Sequence, residues 1–154
     1  MSFIIDKVDL LKKSGPAGAL CRSPILGSMS LTLSVLPDEY AVCQLSAEAG
    51  VPVWATSGEL WSVTGAPGEV SVVCGAAAVP PEVRAQRGWA ALRLHGPFEF
   101  TLTGILAAVL NPLRDAGVGI FALSTFDTDY VLVPQEKLAR AVEALRAAGH
   151  TVTA

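Results

Sequence analysis

Between Ala91 and Ala154 the chain alternates between two hydrophobic periods, and this alternation restricts its fold more than any other feature. Trp89 to Leu94 has strand character. Leu102, Leu106, Val109 and Leu113 then recur at the helical period, with Thr101 or Thr103 as candidate caps and Gly117 as a stop. Pro112 removes one hydrogen bond from that helix and predicts a bend there. Val118 to Ser124 and Tyr130 to Val133 read as strands around a polar corner, Thr125 to Asp129. Pro134 is placed to open a second helix, whose stripe of Leu138, Val142 and Leu145 ends at Gly149, with Glu136 and Arg140 one turn apart on its wet face. His150 to Ala154 closes as a short edge strand. Strand, helix, strand, strand, helix, strand predicts an antiparallel four-stranded sheet with two helices on one face, a ferredoxin-like βαββαβ unit of the α+β class.

The preceding stretch is richer in strands. Leu31 to Leu36 and Tyr40 to Leu45 flank Pro37-Asp38-Glu39, which predicts a hairpin or a bent strand. Leu60 to Thr64 and Val70 to Cys74, joined through Gly65 to Glu69, predict a second antiparallel pair. Short helices at Pro52 to Ala55 and between Glu82 and Arg87 would complete the same βαββαβ order in degenerate form. The expected organisation is therefore an N-terminal degenerate unit over 29–90 and a C-terminal unit over 91–154.

Residues 1–28 read differently, holding three of the four lysines and three of the five isoleucines and ending Gly27-Ser28-Met29. That composition points to an added leader ahead of a start codon, or else to a flexible tail with an amphipathic stretch at Phe3 to Leu11. The 154 residues carry a net charge of −3. Residues 1–28 hold four basic and two acidic side chains, so the remainder has seven and twelve, a net of −5. Nucleic acid and anionic membrane surfaces are excluded as expected partners. With 51% hydrophobic and 16% charged residues the chain has ample core material. The best apolar run, Gly104 to Leu110, stops at Asn111-Pro112, too short for a membrane span, and a cytoplasmic location is expected. Cys21, Cys43 and Cys74 fit neither a disulfide framework nor a CxxC site and read as reduced thiols, two of them in strands.

Phe98-Glu-Phe-Thr-Leu-Thr-Gly-Ile-Leu-Ala107 and Gly119-Ile-Phe-Ala-Leu-Ser-Thr-Phe-Asp-Thr-Asp-Tyr-Val-Leu-Val-Pro134 resemble the ACT-domain family. Within it they look like the tandem-ACT proteins related to aspartate-kinase regulatory domains and CASTOR-type arginine sensors. The resemblance is strongest over Leu102 to Val133 and in outline covers Leu31 to His150. It implies a non-catalytic sensor that binds a free amino acid between ACT units, usually as a homodimer, and reports it to a protein partner whose identity the sequence does not reveal.

The residues agree with that role. Thr103, Gly104 and Ile105 put a hydroxyl and a side-chain-free backbone at a helix N-terminus, where free amides and the helix dipole suit a carboxylate. The plainer reading of Gly104 is relief of packing against the sheet. The facing turn supplies Ser124, Thr125, Phe126, Thr128 and Asp129, and the resemblance carries ligand contact onto it. Asp129 is charged to meet an α-ammonium or a basic side chain; the alternative for Asp127 and Asp129 is local turn hydrogen bonding.

No catalytic residue, metal ligand or cofactor is assigned. Asp127 and Asp129 lack further metal ligands at suitable spacing, and Gly117-Val-Gly119 precedes a strand where a dinucleotide loop would join strand to helix. His95 and His150 read as solvated, Cys43 and Cys74 as core. Trp54, Trp61 and Trp89 are expected between the two units or at a dimer face. Two rivals remain: a ligand-free dimerisation or partner-binding module of the same fold, and a small enzyme using Asp127 and Asp129 as acid and base.

Overall fold

The structure, a computed structural model, describes residues 29–154; the leader assigned to 1–28, with Cys21, lies outside the described residues. Seven strands form one sheet: β1 (Thr32–Ser46), β2 (Ser62–Ala66), β3 (Glu69–Gly75), β4 (Ala85–Leu94), β5 (Phe121–Ser124), β6 (Asp129–Pro134) and β7 (Thr151–Thr153). The helices are α1 (Ile105–Asp115) and α2 (Leu138–Ala147). The sheet order is β2-β3-β1-β4-β6-β5, antiparallel throughout, with β7 added parallel to the start of β1. This is an α+β fold, an antiparallel sheet with its two helices on one face.

One expectation resolves in β1. The hairpin-or-bent-strand choice falls to the bent strand, since Leu31 to Leu45 does not fold back. Against β4 the register slips between Val35 and Glu39: Val35 faces Leu92 and Glu39 faces Ala90, so β1 holds two more residues than β4 across the gap. Pro37, which has no N–H to give a ladder, sits in that slip. Because the slip is two residues, the alternation of faces survives it. Leu31, Leu33 and Val35 meet the helices, while Leu36, Tyr40 and Val42 face the other side with Trp89, Ala91 and Leu132.

The last strand, β7, pairs with β1 and not with β4, so β1 lies between the first and last strands of the 91–154 segment. The expected division at 90/91 falls within β4. On the helix face Leu33, Leu92, Val131 and Val133 pack against Ile105, Val109 and Leu113 of α1 and Ala141 and Leu145 of α2. A separate small core, including Ala41, Cys43, Val72, Cys74 and Val79, lies under the 53–56 and 76–83 segments.

Several local expectations are corrected. The short helix of the first half is one 3-10 turn at Val53–Thr56, a second lies at Ala76–Ala78, and Glu82 to Arg87 is not helical. There the Arg87 guanidinium donates to the carbonyls of Ala76, Val79 and Pro80 at 2.8–3.1 Å, holding the loop open while Ala85 onward joins β4. Pro134 ends β6 opposite Trp89, and α2 begins after a 3-10 turn at Gln135–Lys137. Trp89 is buried in the face opposite the helices, Trp54 packs on the small core and Trp61 is exposed.

His150 is not solvated: it is 6% exposed and explains how α1 tolerates Pro112. Proline has no N–H for the carbonyl four residues back, so Ala108 loses its intrahelical donor. The His150 Nε2 lies 3.0 Å from that carbonyl, and the Leu31 N–H donates to Nδ1 at 3.2 Å. A backbone N–H only donates and a carbonyl only accepts, so the ring is the neutral tautomer with its proton on Nε2. α1 accordingly continues three residues past Pro112 to Asp115. Both helices end with the 6→1 bond of a Schellman turn, Val118 N–H to Leu113 and His150 N–H to Leu145.

Replacing His150 by Ala leaves Leu31 N–H and Ala108 C=O without partners and should cost about 2–4 kcal/mol. Adding Pro112→Ala restores a donor to Ala108, so urea unfolding of the two single variants and the double variant should give a non-additive, partly compensated cycle. Alkali tests the other cores. Burial pushes the Cys74 thiol up to about 11 and raises Cys43, while burial, helped by Asp38, pushes Tyr40 up to about 12. The Tyr40 hydroxyl is buried without a hydrogen-bond partner among the described residues; the Leu60 backbone beside it acts in the opposite, lowering direction. These groups are favoured neutral in the fold, so their contribution is complete below their ordinary values and is lost as pH rises through the folded ones. Urea midpoints should fall between pH 9 and 12, with Cys74→Ala flattening the part below pH 11.

Candidate functional site

After β4 the chain turns through His95-Gly96-Pro97, with the Gly96–Pro97 peptide cis, and passes along residues 98–103 before entering α1. Gly104 is the N-cap residue of α1, in the left-handed region at φ 87°. A Cβ there would meet nothing within 4 Å, so packing does not require the glycine; the backbone conformation does, and it leaves open space above the helix start. No side chain caps the helix. The expected Thr101 or Thr103 cap is not made, because α1 starts at Ile105, three residues later than the periodic pattern suggested. The first-turn amides of Ile105, Leu106 and Ala107 are therefore without a side-chain acceptor, and the first intrahelical donor is Ala108 N–H to Gly104 C=O at 2.9 Å.

Facing this helix start is the β5–β6 turn. Thr125 N–H donates to the Thr128 carbonyl at 2.8 Å and Thr128 N–H to the Thr125 hydroxyl at 3.3 Å, a self-closed corner. The corner is fastened to the opposite wall. Thr128, a buried threonine, donates its hydroxyl to the Leu94 carbonyl, and Phe98 N–H donates to the Asp127 carbonyl at 2.9 Å. Gly96 permits the approach, since a Cβ on it would stand 2.5 Å from that Asp127 oxygen. At the strand ends the Ser124 hydroxyl donates to Asp129 Oδ1 at 2.5 Å, which leaves Oδ2 available.

Between the walls lies an open cleft of about 650 Å³. Of the residues singled out in the sequence, Gly104 and Ile105 line one side and Ser124, Thr125, Phe126, Thr128 and Asp129 the other. Thr103 is exposed and does not line it. Thr128 lines it, but its hydroxyl is committed to Leu94. The sequence reading missed Phe98, Glu99, Phe100, Leu102 and Leu106 on the first wall. The available signal was the link from β4 to α1, which has to pass over the cleft to reach the helix start.

Three carboxylates, Glu99, Asp127 and Asp129, line the cleft, and among the described residues no lysine, arginine or histidine does. The only ion pair among the described residues, Arg114–Asp115, lies elsewhere. No three His, Cys, Asp or Glu side chains among the described residues converge to hold a metal. The cleft also has a hydroxyl beside a carboxylate, Ser124 and Asp129, with no histidine or lysine base among the described residues that line it. Amide donors without a side-chain acceptor at the helix start and an available carboxylate oxygen on the turn thus border one cleft.

The model of the ACT domain matches residues 84–147, and an N-terminal-domain model matches residues 38–82. The human protein named cytosolic arginine sensor for mTORC1 subunit 1 is 34% identical over 59 residues, which are 38% of this chain and 18% of that protein. The crystal structure of Atu0741 from Agrobacterium tumefaciens is 37% identical, covers 81% of this chain and 94% of that one, and superimposes with a TM-score of 0.77. The regulatory subunit of aspartate kinase from Thermus thermophilus shares the fold at 15% identity and a TM-score of 0.50, over 74% of this chain and 96% of that one.

The fastening of the two walls is testable at Gly96. Gly96→Ala forces the Asp127 carbonyl away, and should lower stability by about 1–3 kcal/mol. In a proton–nitrogen NMR spectrum the displaced amides should cluster at 96–98 and 124–129; shifts scattered over the sheet, or none, would count against the contact.

Proposed function

This chain belongs to the ACT-domain family, whose model matches residues 84–147, and we propose that it is a non-catalytic regulatory protein, of the type represented by arginine sensors and aspartate-kinase regulatory subunits, that binds a free amino acid in the cleft between α1 and the β5–β6 turn. One observation carries the reading: the uncapped amides of α1 and the Asp129 carboxylate border the same cleft. The ligand's α-carboxylate meets the amides of Ile105 and Leu106, helped by the dipole and by the open space over Gly104. Its α-ammonium meets Asp129 Oδ2, while Ser124 holds Oδ1. Thr125 and Phe126 border the ligand, and Thr128 keeps the turn in place.

The relatives support a regulatory and not a catalytic role, one named as a sensor and another as a regulatory subunit. The chain matches only 18% of the sensor's length, so that protein's ligand and partner enter here as part of the proposal. In this reading the protein works in the cytoplasm as a homodimer and passes the bound state to a protein partner. Phe100 and Phe126 at the mouth, each 78% exposed, give a second copy apolar surface to cover. They also fit the rival reading, a partner-binding module of the same fold without a ligand.

Thermal melting against the free amino acids, arginine included, tests the proposal. At about a hundred times its dissociation constant a ligand adds about 2.7 kcal/mol, which should raise the melting temperature by several degrees at this size. Asp129→Ala should abolish the shift and leave the unliganded melt close to wild type. No shift with any amino acid would favour the ligand-free module.

A further inference from the structure

Charge is distributed unevenly along the chain. Residues 29–83 hold six acidic side chains, Asp38, Glu39, Glu48, Glu59, Glu69 and Glu82, and no lysine or arginine, whereas 84–154 hold seven basic and six acidic ones. None of the first six is in an ion pair with a described residue. This anionic segment ends the sheet in β2, which pairs with β3 on one side and with no described strand on the other. An open edge offers a row of N–H and C=O groups to another chain, and proteins usually guard it with a charge, a proline or a bulge. β2 has none of these: Ser62–Ala66 carries no charge and no proline, and its register against β3 is unbroken. Beside it stands an apolar surface. The 53–56 turn lies against β2 and β3, and Val51 and Val53, with Trp61 at the entry to β2, are exposed, Val53 to 92%.

We infer that the free edge of β2 is a docking site for an extended segment of a partner protein, mixed basic and apolar in composition, which adds to the sheet as a further strand. Backbone hydrogen bonds supply the affinity, and side chains on alternate faces supply the choice. Apolar side chains of the segment cover Val53 and Trp61. Its lysines or arginines meet the carboxylates, Glu48 and Glu59 foremost, because both are exposed and flank that surface in the chain. Charge also argues against the simplest rival, a second copy pairing edge to edge: two segments of net −6 would meet with no cation of their own between them. β2 is at the opposite end of the strand order from β6 and β5, so the edge is separate from the cleft. It gives the protein partner of the regulatory reading a place to bind, and it holds whether or not the cleft takes an amino acid.

Fluorescence anisotropy on the full chain, without added amino acid, tests the edge with three labelled peptides of about nine residues, longer than the five of β2. One alternates lysine with valine and one alternates glutamate with valine. The third is the lysine peptide with every backbone N–H methylated, which keeps its charge and side chains but cannot donate to a ladder. The lysine peptide should bind roughly tenfold or more tightly than either control, and its affinity should fall as added salt shortens the screening length. Gly65→Lys places a cation on the edge, where a Cβ meets nothing within 4 Å, and Trp61→Ser removes exposed apolar surface. Each should weaken the lysine peptide several-fold while the melting temperature stays at the wild-type value. Equal binding of the methylated peptide would overturn strand addition, since charge alone would then account for the affinity. No binding of the lysine peptide, or binding that Gly65→Lys leaves unchanged, would overturn the site. A dimer in light scattering that Gly65→Lys dissolves would instead assign the edge to a second copy. The melting shift given by an amino acid should be the same in Gly65→Lys as in wild type, so failure of the edge and failure of the cleft reading are told apart.

Discussion

The fold depends on one strand. β1 is hydrogen-bonded to β4 along one edge and to both β7 and β3 along the other, so it joins the helix-covered end of the sheet to the small core at the far end. A single extra residue in its slip would have turned every later side chain to the wrong face, placing Tyr40 among the helices and Cys43 opposite them. Two extra residues keep the alternation, and the bend that results lets the sheet curl. Placing β1 between β7 and β4 also makes the two halves of the chain complete one another. The 91–154 segment lacks a continuous sheet without it.

The cleft follows from that arrangement. β4 and β6 are neighbours, so the link leaving β4 and the turn entering β6 emerge at the same end of the sheet. Hydrogen bonds from Thr128 and Phe98 then draw the two together, and Gly96 sets how close they come. α1 starts above this junction with its amides uncapped. A surface made largely of backbone at a sheet end can be kept while its side chains change.

Much of this was legible in the sequence. The alternation of periods gave both helices and the strands around them, and Gly104 with the Thr125–Asp129 corner identified both walls of the cleft. What could not be read has physical causes. Periodicity does not distinguish a turn at Pro37 from a bulge, because both interrupt pairing over the same few residues. It does not show that a helix start can go uncapped, so Thr103 was assigned a place that the left-handed Gly104 moves out of reach. Phe100 and Glu99 escaped notice because a connecting segment has no period. The burial of His150 is not legible because its partners lie 119 and 42 residues away along the chain. Nothing near it in the chain indicates burial.

The pairing of Pro112 with His150 constrains how this protein can diverge. A proline in the body of a helix is ordinarily removed at no loss, and a histidine at a strand end is ordinarily free to vary. Here the order of change matters: residue 112 can drift first, since any amide-bearing replacement supplies Ala108 from within the helix and frees one side of the ring. Loss of the histidine first would strand two backbone groups at once. Descendants of this sequence are therefore expected to lose the proline before the histidine, leaving an imidazole whose original purpose can be read only from the ancestor.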